Sequence, residues 1–138
     1  MRIVLDTNVL VSGLLRAYGH SAHVLRLVLE RQVQLALDER ILQEYEDVLA
    51  RPKFGFDRDR VASILRELRQ ISLFSGLSTQ AVALPDPKDH MFLEVALAVD
   101  ADGLVTGNGR HFPAEACFGM RVIAPADFMR AWAEHTQA

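Results

Sequence analysis

The chain has 138 residues, 50% of them hydrophobic, which is enough apolar material for one core and not for two, so a single domain over 1–138 is expected. A formal charge of −3 disfavours a protein that coats nucleic acid generally, since that role needs a basic excess to displace counterions from phosphates. The lone Cys117 excludes an internal disulfide and any zinc cage of two or more thiolates, and Asp6 interrupts the opening apolar run too early for a secretory or membrane segment. A soluble cytoplasmic protein with no membrane contact is the expectation.

In chain order, Ile3-Val4-Leu5 reads as a short strand, and Asp6-Thr7-Asn8 after it are cap and turn residues that open a helix. Helical spacing of Val9, Leu10, Leu14 and Leu15 runs to the Tyr18-Gly19 break, and a second periodic run covers Val24, Leu25, Val28 and Leu29. Leu35-Ala36-Leu37 predicts a strand. Asp38 caps a helix through about Leu49 that Pro52 stops, and a further helix runs from about Asp57 to Ile71. Asp86-Pro87 opens a helix carrying Phe92, Val95, Ala96 and Val99; Leu104-Val105 is a strand, and Gly107-Asn108-Gly109 is a turn. Met120 to Ile123 is a last strand, and Pro125-Ala126 begins a helix through Trp132. Strands alternating with helices predict an α/β fold, a parallel sheet covered on both faces.

In such sheets, sites form beyond the carboxyl ends of the strands. Asp6 and Asn108 follow strands and fall at that edge, whereas Asp100 and Asp102 precede one and fall at the opposite edge. Asp6 is also a ready N-cap, and Asp86 and Asp89 stand at capping-box spacing. Asp89, however, shares a helix face with Phe92, Leu93 and Ala96, so its carboxylate extends the stripe that packs on the sheet. Glu44 and Glu46 flank the apolar face of Ile41, Leu42, Tyr45, Val48 and Leu49 at about equal angles, and periodicity does not choose between them. His90 and His111 are candidates for proton transfer or phosphate contact, or are ordinary cap and loop histidines. Arg51, Lys53, Arg58, Arg60, Arg66 and Arg69, opposed locally by Asp57, Asp59 and Glu67, form either a phosphate-facing patch or a solvated helix face. Asp100-Ala101-Asp102-Gly103 lacks the later acids of a calcium loop, and Gly107-Asn108-Gly109 lacks the third glycine of a dinucleotide loop.

Taken together, Ile3 to Leu10, Glu44, Asp86-Pro87-Lys88-Asp89 with Phe92-Leu93 and Ala96, and Leu104 to Asn108 resemble the PIN-domain family over nearly the whole chain, closest to compact bacterial members described as toxins of toxin–antitoxin pairs. The resemblance implies a three-layer α/β/α sandwich and an endoribonuclease that cuts RNA phosphodiester bonds with Mg²⁺ or Mn²⁺. It also implies a homodimer and a cognate antitoxin. Carried over by motif, the metal-holding acids are Asp6, Glu44 and Asp89, with Asn8 and Thr106 orienting them; this choice sets Glu44 above Glu46. Asn108 stands where the family often has an aspartate, and Arg110 where it often has another acid, so Asn108 is expected as a neutral ligand at most and the second metal is left in question. Arg58, Arg60, Arg66 and Arg69 are the expected RNA-guiding residues.

The chemistry agrees with the resemblance. Carboxylates about 5 Å apart repel by roughly 3 kcal/mol per pair at an effective dielectric near 20, so three of them need a cation. Two other acidic α/β classes fit less well: an aspartate-nucleophile phosphatase resembles this start but has a second aspartate at Asn8, and a response-regulator receiver has paired N-terminal acids and a lysine where Pro125 stands. The rival within the family is a catalytically weak module that binds RNA or antitoxin.

Overall fold

The structure is a computed structural model that describes residues 1–77 and 80–137. These form strands β1 (Arg2–Leu5), β2 (Gln34–Leu37), β3 (Leu73–Phe74), β4 (Gly103–Val105) and β5 (Val122–Ile123). The helices are α1 (Thr7–Leu15), α2 (His20–Leu29), α3 (Glu39–Leu49), α4 (Arg58–Ile71), α5 (His90–Ala98) and α6 (Pro125–Gln137). The sheet is parallel throughout, in the order β3-β2-β1-β4-β5, and the helices flank it as a three-layer α/β/α sandwich, the expected fold class. Among the described residues no helix is long and apolar enough to cross a membrane.

The central strand shows why. Ile3, Val4 and Leu5 are all fully buried, as a strand covered on both faces requires, and an uninterrupted apolar run is the only sequence that meets this demand. Ile3 pairs with Leu35 on one side and with Gly103 on the other. α3 begins where Asp38 accepts a hydrogen bond from the Ile41 amide at 3.0 Å, and it ends before a 3₁₀ turn at Pro52–Phe54, because proline cannot donate to the helix ladder. Its apolar face is buried, and Tyr45 Oη donates to the Leu5 carbonyl at 2.6 Å, tying α3 to the last residue of β1. α1 and α2 approach closely at Gly13, where a Cβ would lie 3.0 Å from the Ser21 carbonyl oxygen.

Four elements differ from the sequence reading. β3 was not expected: it is two residues long, at the sheet edge, too short to show a period. The last strand is Val122–Ile123 rather than Met120 to Ile123, and α6 continues past Trp132 to Gln137. Asp86-Pro87 does open a helical segment, but its first turn, Pro87–Asp89, is 3₁₀ and the α-helix starts at His90.

Candidate active site

The strand order creates the site. The chain lays β2 and β3 to one side of β1, then crosses to lay β4 and β5 on the other, so the loops leaving β1 and β4 diverge and open a crevice between them. Asp6 leaves β1 and Thr106 leaves β4 at this switch point. The Asp6 amide donates to the Val105 carbonyl at 2.9 Å, holding the two strand ends together.

The Asp6 side chain makes no capping hydrogen bond to α1, so the N-cap role that its position allows is not what it does. It accepts from Thr106 Oγ1 at 2.7 Å instead, and Thr106 is itself buried. Thr106 Oγ1 in turn accepts from the Asn108 amide at 3.0 Å, and Asn8 Oδ1 accepts from the Gly107 amide at 3.3 Å. Asn8 and Thr106 thus hold the loop after β4 against the loop after β1.

Asp89 ends the 3₁₀ turn before α5. Asp86 caps that turn by accepting from the Lys88 amide at 3.0 Å, while Asp89 caps nothing and is only 8% exposed. His111 Nδ1 stands 3.0 Å from Asp89 Oδ2, at ion-pair range but without hydrogen-bond alignment, and that oxygen is buried with no hydrogen bond. The other ring nitrogen of His111 lies 3.0 Å from Asn108 Nδ2, which closes a chain of contacts from Asp6 through Thr106 and Asn108 to His111 and Asp89.

Burial dominates the electrostatics of both acids. Burial lifts the Asp6 carboxyl above its ordinary value, against the pull of the Thr106 hydroxyl, the nearby Thr7 and Asn8 amides and the neighbouring His111. Burial also lifts Asp89, and the charge on Asp6 lifts it further, with His111 opposing. Both groups therefore resist ionisation.

Glu44 and Glu46, indistinguishable by periodicity, leave α3 in different directions. Half-buried Glu44 lines a pocket with Pro87 and Lys88, and its charge, like that of Asp6, reaches the buried Tyr45 phenol, whose pKa burial pushes well above the ordinary range. Exposed Glu46 lines the groove toward α4 and acts on Arg69. The four α4 arginines do not form one surface. Arg58 lines the groove with α3, Arg60 faces α1 and α2, and Arg69 makes a two-pronged pair with Glu39 at 2.7 and 3.0 Å. Arg66 is exposed on the same helix. His90 Nε2 accepts from the Leu84 amide at 3.0 Å and so braces a loop. Asp102 accepts from the Arg2 amide at 2.7 Å, at the opposite sheet edge as expected.

Sequence reasoning singled out His111 without finding its role. The signal present was its place three residues beyond Asn108, but only closure of the loop onto α5 brings the ring to Asp89. Among the described residues no three His, Cys, Asp or Glu side chains form a ready-made metal cage. The donors nonetheless suit a hard cation that keeps most of its water: two carboxylates that repel each other, one with an orphaned buried oxygen, and the Asn108 amide close by. Asp6 and Asp89 would hold it.

Comparison with known proteins agrees with the topology. An uncharacterized protein of Methanocaldococcus jannaschii is 26% identical over 111 residues, covering 78% of this chain and 71% of that protein. The solved structure of VapBC2 from Rickettsia felis, bound to a DNA fragment from their promoter, shares the fold with a TM-score of 0.56 at 14% identity, over 90% of this chain and 98% of that one. The family model of the PIN domain matches residues 2–110, from the first residue of β1 past the Thr106–Asn108 loop, and with that span the chain belongs to the PIN-domain family.

Proposed function

We propose that the protein is a divalent-metal-dependent endoribonuclease, the toxin of a toxin–antitoxin pair, acting in the cytoplasm as a homodimer with Mg²⁺ or Mn²⁺. The observation that carries the nuclease reading is the buried Asp6–Asp89 pair at the switch point of the sheet: two carboxylates whose ionisation the fold opposes, which a cation would relieve. Membership in the PIN-domain family supports hydrolytic nuclease chemistry. The likeness to the VapBC2 complex, beside the resemblance to toxins of such pairs, supports an antitoxin partner.

A bound divalent cation supplies Lewis-acid stabilisation of the charge that develops on the phosphodiester oxygens. The chain's own part is to place and fix its ligands. Thr106 sets the rotation of the Asp6 carboxylate through a short hydrogen bond, and Tyr45 anchors the carbonyl of the preceding residue, so Asp6 is held from both sides. His111, braced by Asn108, presents its Nδ1 edge to Asp89. Glu44, in the wall of the pocket formed with Pro87 and Lys88, is the proposed third acid.

A second reading, the catalytically weak binding module, draws on Asn108, whose amide is turned to His111 where another acid would add charge. Cleavage of a labelled RNA with Mg²⁺ or with EDTA separates the two. The nuclease reading expects cleavage only with the metal and a loss of orders of magnitude in Asp6→Asn, at unchanged fold; RNA or antitoxin binding without metal-dependent cleavage would favour the module.

A further inference from the structure

A pocket of about 560 Å³ opens between α3 and the start of α5, within the size range of sites that enclose a small ligand. Its polar lining is Arg40, Glu44, Arg51, Lys88, His90 and Glu94. Most of these groups are already engaged. Arg40 pairs with Asp38 at 2.7 Å and with Glu94 at 2.9 Å, which neutralises the Glu94 wall, and His90 is held by the Leu84 amide. The side chains of Arg51 and Lys88 are exposed and make no hydrogen bond or ion pair with any described residue. Lys88 and His90, the chain neighbours of Asp89, both line the pocket, and so does Glu44, the third acid of the proposed centre.

The pocket wall thus carries two cations without ion-pair partners against one such carboxylate, Glu44, and in the wall of a phosphodiester-cutting centre that positive excess suits a neighbouring phosphate of the same strand. Among the α4 arginines, Arg60 faces a different groove from Arg58 and Arg69 is paired with Glu39; Arg58 shares its groove with Arg51, but none of the proposed site acids lines that groove. We infer that the pocket between α3 and α5 is a phosphate subsite of the RNA strand, with Arg51 and Lys88 as its cations. The inference rests on the ribonuclease reading and adds to it the path of the strand, across the N-terminal end of α5 rather than over α4.

The test is fluorescence anisotropy of the full chain with a labelled oligouridylate in EDTA, where binding is read without cleavage, across a salt series. Replacing both cations, Arg51→Gln with Lys88→Gln, weakens binding about tenfold at low salt and reduces the log–log salt slope by about 1.4, the loss of two single-strand phosphate contacts. The charge-keeping pair Arg51→Lys with Lys88→Arg retains the wild-type slope, which a merely structural role would not explain. Arg60→Gln with Arg66→Gln leaves the slope where it was. Unchanged binding in the doubly neutralised protein, or loss in the α4 pair instead, overturns the subsite while the ribonuclease reading stands. A wild-type protein that does not bind the strand at all overturns both.

Discussion

Replacing Asp89 with asparagine stabilises the metal-free protein at neutral pH. The folded Asp89 carboxyl lies above its ordinary value of 3.8, because burial and then the Asp6 charge penalise its anion. Between 3.8 and that raised value the native state binds more protons than the unfolded chain, so stability falls as pH climbs through this window and the penalty is complete above it. The burial penalty and the Asp6 repulsion go with the charge and so does the opposing His111 contact, which leaves a net gain on the order of 1 kcal/mol, the usual size of a stabilising single substitution. For a chain of this size that is about 3 °C in melting temperature. Differential scanning calorimetry in EDTA reads it directly. The gain shrinks near the ordinary carboxylate pKa, where the wild type is protonated as well, and Mg²⁺ reverses the ranking, because only the wild type is stabilised by binding. An asparagine variant no more stable at neutral pH, or one whose advantage persists undiminished in acid, would refute the reasoning.

Glu44→Gln lowers metal-dependent RNA cleavage at least tenfold and Glu46→Gln leaves it unchanged, as read from initial rates; the reverse ranking would place the third acid on the α4 side of α3. Asn108→Asp adds charge at nearly constant volume and tightens Mn²⁺ binding, with a gain in activity at low metal that vanishes at saturation; superimposed calorimetric titrations would remove Asn108 from the centre. Tyr45→Phe leaves the buried Leu5 carbonyl without its 2.6 Å partner, which costs about 1–3 kcal/mol in denaturant unfolding and lowers kcat through the loosened Asp6; an unchanged midpoint would contradict that anchoring.

Much of the site was readable in the sequence because its residues sit at chain positions with a fixed structural meaning. Asp6 and Thr106 follow strands, so they fall at the carboxyl edge of a parallel sheet, and the hydrophobic stripe of Phe92, Leu93 and Ala96 points Asp89 inward. Glu44 and Glu46 were not separable, since each flanks the buried face of α3 and only the neighbours decide: α5 beside one, α4 beside the other. The contact of His111 with Asp89 depends on how the loop after β4 folds back, and no local period records that. The basic run does not read as one surface for a helical reason, because Arg58 and Arg60, near neighbours in sequence, line different grooves of α4. β3 is fixed by pairing of Leu73 and Phe74 with β2, a long-range contact that two residues cannot announce.

The measurement closest to the central claim is calorimetric titration of Mn²⁺ into the RNA-free protein, comparing the wild type with Asp6→Asn and Asp89→Asn, each checked for an intact melting transition. Binding to the wild type is saturable and strengthens with pH as the two raised carboxyls ionise, and it is lost in either variant. Binding of wild-type affinity in either asparagine variant would contradict it.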